Sequence, residues 1–176
     1  MSDPYSILTD IEKNPKLQAS EWYKCRTNPL YYIYNYVYIP ETGGKIKYGK
    51  DIMHPKAKRV VKLIFKYHKA ILMASRQLGK STLAACLISW AVVFYPRNRA
   101  VILNMKQNAG LNNLAMIKFV IENLPKWMVT EKPFKSKSDI KTYFELYNDS
   151  KVEVFYPSTV HSPSTLARSL TVPVLN

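Results

Sequence analysis

The sequence predicts an α/β domain with a mostly parallel sheet, incomplete at its C-terminus, and three observations predict it. Apolar runs of strand length alternate with segments whose apolar residues recur at helical spacing. Residues 71–90, ILMASRQLGKSTLAACLISW, place an apolar run, a tight polar turn and a long segment free of Gly and Pro in direct succession. The chain has 176 residues and 47% hydrophobic content, which fits one domain with a true core.

The turn within that stretch carries the chemistry. Residues 71–74 read as a buried strand, and an A-x-x-x-x-G-K-S pattern runs from Ala74 through Gly79, Lys80 and Ser81. Such a loop turns successive backbone N–H groups toward phosphate oxygens, and Gly79 lets the backbone approach them. Lys80 supplies a point charge to the β- and γ-phosphates, and the Ser81 hydroxyl is a ligand for Mg²⁺. The helix beginning there directs its positive end at the same anion. The expected nucleotide contacts are Ser75, Arg76, Gln77, Leu78, Gly79, Lys80, Ser81 and Thr82. Ala74 stands where the general pattern has its first Gly, so the loop must enter through an ordinary backbone region. A chance GKS is the bland alternative. The strand–turn–helix context favours phosphate, and with it a P-loop NTPase-type, three-layer domain.

The other elements follow in order. Residues 1–19 read as a loose polar leader, and residues 21–38 are dense in Tyr and Trp. An aromatic helix that packs its rings on the domain explains them better than base stacking does. Asn28-Pro29 marks a helix start or break, and Pro40-Glu41-Thr42-Gly43-Gly44 is turn chemistry before a short extended piece. Residues 55–67 read as a helix with Ala57, Val60, Val61, Ile64 and Phe65 on one face and Lys58, Arg59, Lys62 and Lys66 on another. Residues 100–104 read as a second buried strand and residues 108–123 as an amphipathic helix closed by Pro125. Residues 142–147 and 151–156 alternate around Asn148-Asp149-Ser150 as a hairpin, expected to be an antiparallel insertion.

Charge bears on partners. The chain has 26 Lys and Arg against 12 Asp and Glu, a formal net charge of +14. Residues 45–80 hold eleven basic residues and a single acid, Asp51. That excess favours a polyanion, most simply nucleic acid, although a solvated basic face accounts for charge alone equally well. No run reaches the roughly 18–20 apolar residues of a membrane span, and the N-terminus lacks the features of a signal peptide. Cys25 and Cys86 have no metal spacing and read as reduced cytoplasmic thiols. His54, His68 and His161 are too scattered for a zinc site or a triad. Hydrolysis also needs an acid at the end of a second apolar strand and a group that positions water. The apolar run in that place, residues 172–176, carries no acid, so turnover is not expected.

SRQLGKS, residues 75–81, resembles the Walker A motif of tailed-bacteriophage terminase large subunits, ATPases that pump DNA into proheads. The aromatic stretch CRTNPLYYIYNYVYI and the Gly-Gly turn precede it as in that family. ENLPKWM, the hairpin FELYNDSKVEVFYPST and Ser164-Thr165-Leu166-Ala167-Arg168-Ser169-Leu170 follow in the family's order, so the resemblance covers roughly residues 20–176. It implies ATP and Mg²⁺ as cofactors and Arg76 as a γ-phosphate sensor. It implies double-stranded DNA, a portal protein and a small terminase subunit as partners, with oligomers formed on the portal. The implied location is the host bacterial cytoplasm. Residues 1–50 would be a leader and aromatic helical region, and residues 51–176 a partial ATPase domain ending before the acidic Walker B pair. The nuclease domain would be absent. The family's adenine-reading Gln has no counterpart beside His54-Pro55, where Ala57 stands near its place. Two readings compete with this one: a non-catalytic, basic DNA-binding or assembly module, and another P-loop ATPase such as a helicase.

Overall fold

Capping chemistry sets the first two helices. Asn14 accepts a hydrogen bond from the Lys16 N–H and Pro15 opens helix α1 (Pro15–Thr27). Asn28 ends that helix and caps the next, accepting from the Tyr31 N–H, with Pro29 opening α2 (Pro29–Tyr36). Both prolines sit where a missing N–H costs nothing. The computed structural model describes residues 11–12, 14–49, 52–73, 75, 78–130, 132–135 and 142–156. Expectations for Ala74, Arg76, Gln77 and residues 157–176 lie outside them.

An antiparallel hairpin follows, β1 (Tyr38–Glu41) with β2 (Gly44–Lys47), turning through Gly43 at φ 89°. Helix α3 (Ala57–Tyr67) ends on His68 in the left-handed region, and α4 (Lys80–Phe94) begins at the Gly-Lys-Ser triplet. Strand β3 (Arg99–Leu103), helix α5 (Gln107–Glu122), and strands β4 (Tyr143–Glu145) and β5 (Lys151–Phe155) complete the described chain. The architecture is mixed α/β. Among the described residues there are five helices and two small sheets, one of order β3-β5-β4. No described helix is long and apolar enough to cross a membrane.

Helix α4 lies at the centre because it is apolar all round, which only a buried helix tolerates. Leu83, Cys86, Trp90 and Phe94 join Cys25, Tyr32, Ile33 and Tyr36 in one core cluster. Ala85 and Val92 join Leu114, Ile117, Ile121, Phe144, Val152 and Val154 in a second, against the sheet. The aromatic segment therefore packs its rings rather than displaying them. Phe94 meets Trp22 and Tyr32 edge-on at 5.5 Å, and the Tyr32 hydroxyl lies 3.1 Å from the Ser89 hydroxyl, both residues fully buried. Trp90 Nε1 donates to the Cys25 carbonyl at 2.8 Å.

Two expectations are corrected. The hairpin is not a side insertion: β5 is the middle strand, parallel to β3 through Arg99↔Lys151 to Leu103↔Phe155 and antiparallel to β4. Its turn is tied to the C-terminal end of α4, since Asn148 Nδ2 donates to the Val92 carbonyl at 2.8 Å and Ser150 Oγ to the Tyr95 carbonyl at 3.1 Å. Residues 71–73 form no strand. Ile71 is 95% and Met73 90% exposed, and neither pairs with the sheet. A strand is stable only against neighbours that satisfy its backbone and cover its faces, and the described sheet offers this segment none.

Candidate functional site

The loop acquires its shape from Gly79, which adopts φ 68°, ψ 19° and serves as the N-cap of α4 with no side-chain hydrogen bond. Glycine enters this left-handed region freely, whereas other residues are strained there. The first intrahelical bond runs from the Leu83 N–H to the Gly79 carbonyl at 2.9 Å. The N–H groups of Lys80, Ser81 and Thr82 precede it and lack an intrahelical acceptor. They sit at the positive end of a 15-residue helix whose body is fixed in two core clusters.

Lys80 folds back over the loop, its Nζ donating to the Ser75 carbonyl at 2.5 Å. The ammonium is thereby held at the loop by a carbonyl, an acceptor that a phosphate could replace. Ser81 is exposed on the first turn and Thr82 is half-buried. Ser75, Leu78, Gly79, Lys80, Ser81 and Thr82 are thus brought to one end of α4, while the roles expected of Arg76 and Gln77 fall outside the described residues.

Two features were not legible beforehand. A Cβ built on Gly79 would lie 3.5 Å from the Tyr48 hydroxyl, so the residue following β2 supports the loop. Tyr48 is 4% exposed, and burial, with Cys86 and Tyr34 nearby, pushes its hydroxyl up to about 12. The second feature is a cavity of about 460 Å³ alongside Gly79 and Lys80. Ala57, Val60 and Leu63 of α3 form one wall; Leu72, Met73, Leu78 and Leu83 form the other, and His54, Lys56 and Arg59 supply the polar rim. The His54 ring is oriented, its Nδ1 accepting the Lys56 N–H at 3.2 Å. Only the i, i+3 pair Val60 and Leu63 hinted at this wall in sequence, since the main apolar stripe of α3 points into the core.

These residues suit a nucleoside triphosphate. The volume falls in the range of small-molecule sites, and the lining is mostly apolar with a few polar groups. Helix N-terminal N–H donors and an ammonium would suit phosphates, and the apolar lining would suit a base and sugar. For Mg²⁺ the Ser81 hydroxyl would be the ligand from this loop, which suits an ion that keeps several waters and binds chiefly through substrate phosphates. No group of three or more His, Cys, Asp or Glu able to hold a metal occurs among the described residues. The thiols stand apart from this chemistry: Cys25 and Cys86 are fully buried, and burial pushes both up to about 12. In comparisons with protein-family models and with curated protein sequences, no family model and no curated sequence matches this chain.

Proposed function

We propose that the chain is the triphosphate-binding part of a DNA-translocating ATPase of the terminase large-subunit kind, taking ATP with Mg²⁺. One observation carries the reading: left-handed Gly79 opens helix α4 at Lys80, and both residues line a cavity of nucleotide size at the positive end of that helix. In this reading Lys80 leaves the Ser75 carbonyl to neutralise the β- and γ-phosphates, and Ser81 completes the Mg²⁺ shell. Arg76 senses the γ-phosphate. Mg²⁺, when bound, spreads the phosphate charge; the chain's own residues bind and orient. No Asp or Glu lines the cavity among the described residues, so binding rather than sustained turnover is the expected activity.

Titration calorimetry with a non-hydrolysable ATP analogue and Mg²⁺ tests it. Lys80→Met removes a charge-assisted contact of about 1.5–3 kcal/mol, which corresponds to a loss of roughly 10- to 150-fold in affinity. Arg76→Ala should weaken the analogue more than ADP. No binding by the unaltered chain, or equal binding by Lys80→Met, overturns the reading.

A further inference from the structure

Helix α3 presents three faces. Ala57 and Val61 are buried and anchor it, helped by the Phe65 ring, which meets Trp90 edge-on at 5.1 Å. Val60 and Leu63 line the cavity. The remaining face carries Lys58, Lys62 and Lys66, all exposed. These three recur at i, i+4 and i+8, so they lie within an arc of about 80° and about 6 Å apart along the axis.

An ordinary solvated helix face alternates lysines with acids at i, i+4, because opposite charges stabilise the helix and like charges repel. This face does neither: α3, AKRVVKLIFKY, contains no acidic residue. Among the described residues no carboxylate forms an ion pair with Lys58, Arg59, Lys62 or Lys66; the contact recorded for Lys66 is the Tyr67 ring, 5.0 Å from its Nζ. The helix start compounds the mismatch. Lys56 is the N-cap without a side-chain hydrogen bond, and Lys58 and Arg59 fill the first turn, where the positive end of the helix disfavours cations. The lysines repel one another along the stripe and Lys58 opposes the dipole in the first turn, only Lys66 in the last turn being favoured by it. A regularly spaced polyanion laid along the face would offset the repulsion.

We infer that the Lys58–Lys62–Lys66 stripe is a docking surface for the phosphate backbone of duplex nucleic acid, read by charge and spacing without base contacts. Flexible lysine stems suit phosphates at variable positions, and the even repeat suits a repeating polymer better than a compact anion. The inference deepens the DNA part of the function proposed above and rests on it for the partner's identity. The surface is separate from the cavity, so the two can be tested independently.

Fluorescence anisotropy of a labelled 25-base-pair duplex of arbitrary sequence, without nucleotide, provides the test. Three phosphate contacts predict a log–log salt slope of about −2.7, roughly a 40-fold loss of affinity between 50 and 200 mM salt. Each of Lys58→Gln, Lys62→Gln and Lys66→Gln should reduce the slope by about one unit, and the triple variant should remove nearly all of it. Gln keeps the helix propensity, so far-UV circular dichroism should be unchanged. A control triple, Lys16→Gln, Lys106→Gln and Lys132→Gln, removes the same charge from exposed positions elsewhere and should retain most of the slope. Equal losses in the two triples would reduce the effect to net charge and overturn the inference. Poly-glutamate competing as well as unlabelled duplex would assign the face to an acidic protein instead. Binding of the ATP analogue should be the same in the stripe triple and the unaltered chain. A loss there would overturn the separation of the surfaces, whereas absence of analogue binding in both would count against the nucleotide reading alone.

Discussion

Replacing Gly79 with alanine isolates the backbone requirement of the loop from its side-chain chemistry. Gly79 is held at φ 68°, ψ 19°, a region that costs an L-residue roughly 1–2 kcal/mol. Alanine offsets about 0.4–1 kcal/mol of this by narrowing the unfolded ensemble. Steric conflict adds nothing, because the new Cβ would sit at an ordinary 3.5 Å from the Tyr48 hydroxyl. The net expectation is a loss of about 1 kcal/mol, or a midpoint lowered by roughly 2–4 °C for a chain of this size. Gly79→Asn should lose less, since asparagine tolerates the left-handed region. Urea titrations followed by circular dichroism give the three stabilities. Alanine as stable as glycine, or asparagine worse than alanine, would refute a left-handed Gly79 and with it the direction in which the first N–H groups of α4 point.

Gly110 faces a different constraint: a Cβ there would overlap Val154 Cγ1 in the core between α5 and β5, so Gly110→Ala should destabilise by about 1–3 kcal/mol through overpacking, read from the same urea titrations. Glu21 is buried, and although burial opposes ionisation, hydrogen bonds from Lys24 at 2.6 Å, Tyr31 at 2.7 Å and Tyr36 at 2.9 Å hold its carboxyl below the usual range. With the folded value depressed, its stabilisation is present above the unfolded value near 4.5 and is lost as pH falls through the folded one. Glu21→Gln should therefore cost about 1–3 kcal/mol at neutral pH, and the difference from the unaltered chain should shrink below about pH 4.5; a constant difference down to pH 3 would show that Glu21 does not titrate with folding.

The features legible in the sequence were the local ones. Asn28-Pro29 is a helix boundary whatever surrounds it, since the asparagine side chain and the proline ring act within four residues. The i, i+3, i+4 periods of α3 and α5 and the turn at Asn148 likewise depend on short-range geometry. Gly79 before Lys80 and Ser81 marked the start of a helix, because a glycine free to turn left-handed and the polar residues after it act within one turn. Residues 71–73 show where this legibility stops. An apolar run reads the same whether or not a partner strand lies beside it, and only the assembled sheet, β3-β5-β4, decides which runs are paired. Tertiary structure alone decided that β5 runs parallel to β3, that the Tyr48 hydroxyl lies against Gly79, and that Val60 and Leu63 line a cavity. Each joins residues distant in the chain, and their meeting is set by how the buried faces of α4 pack on both sides, a balance of apolar burial over the whole domain that no local pattern encodes.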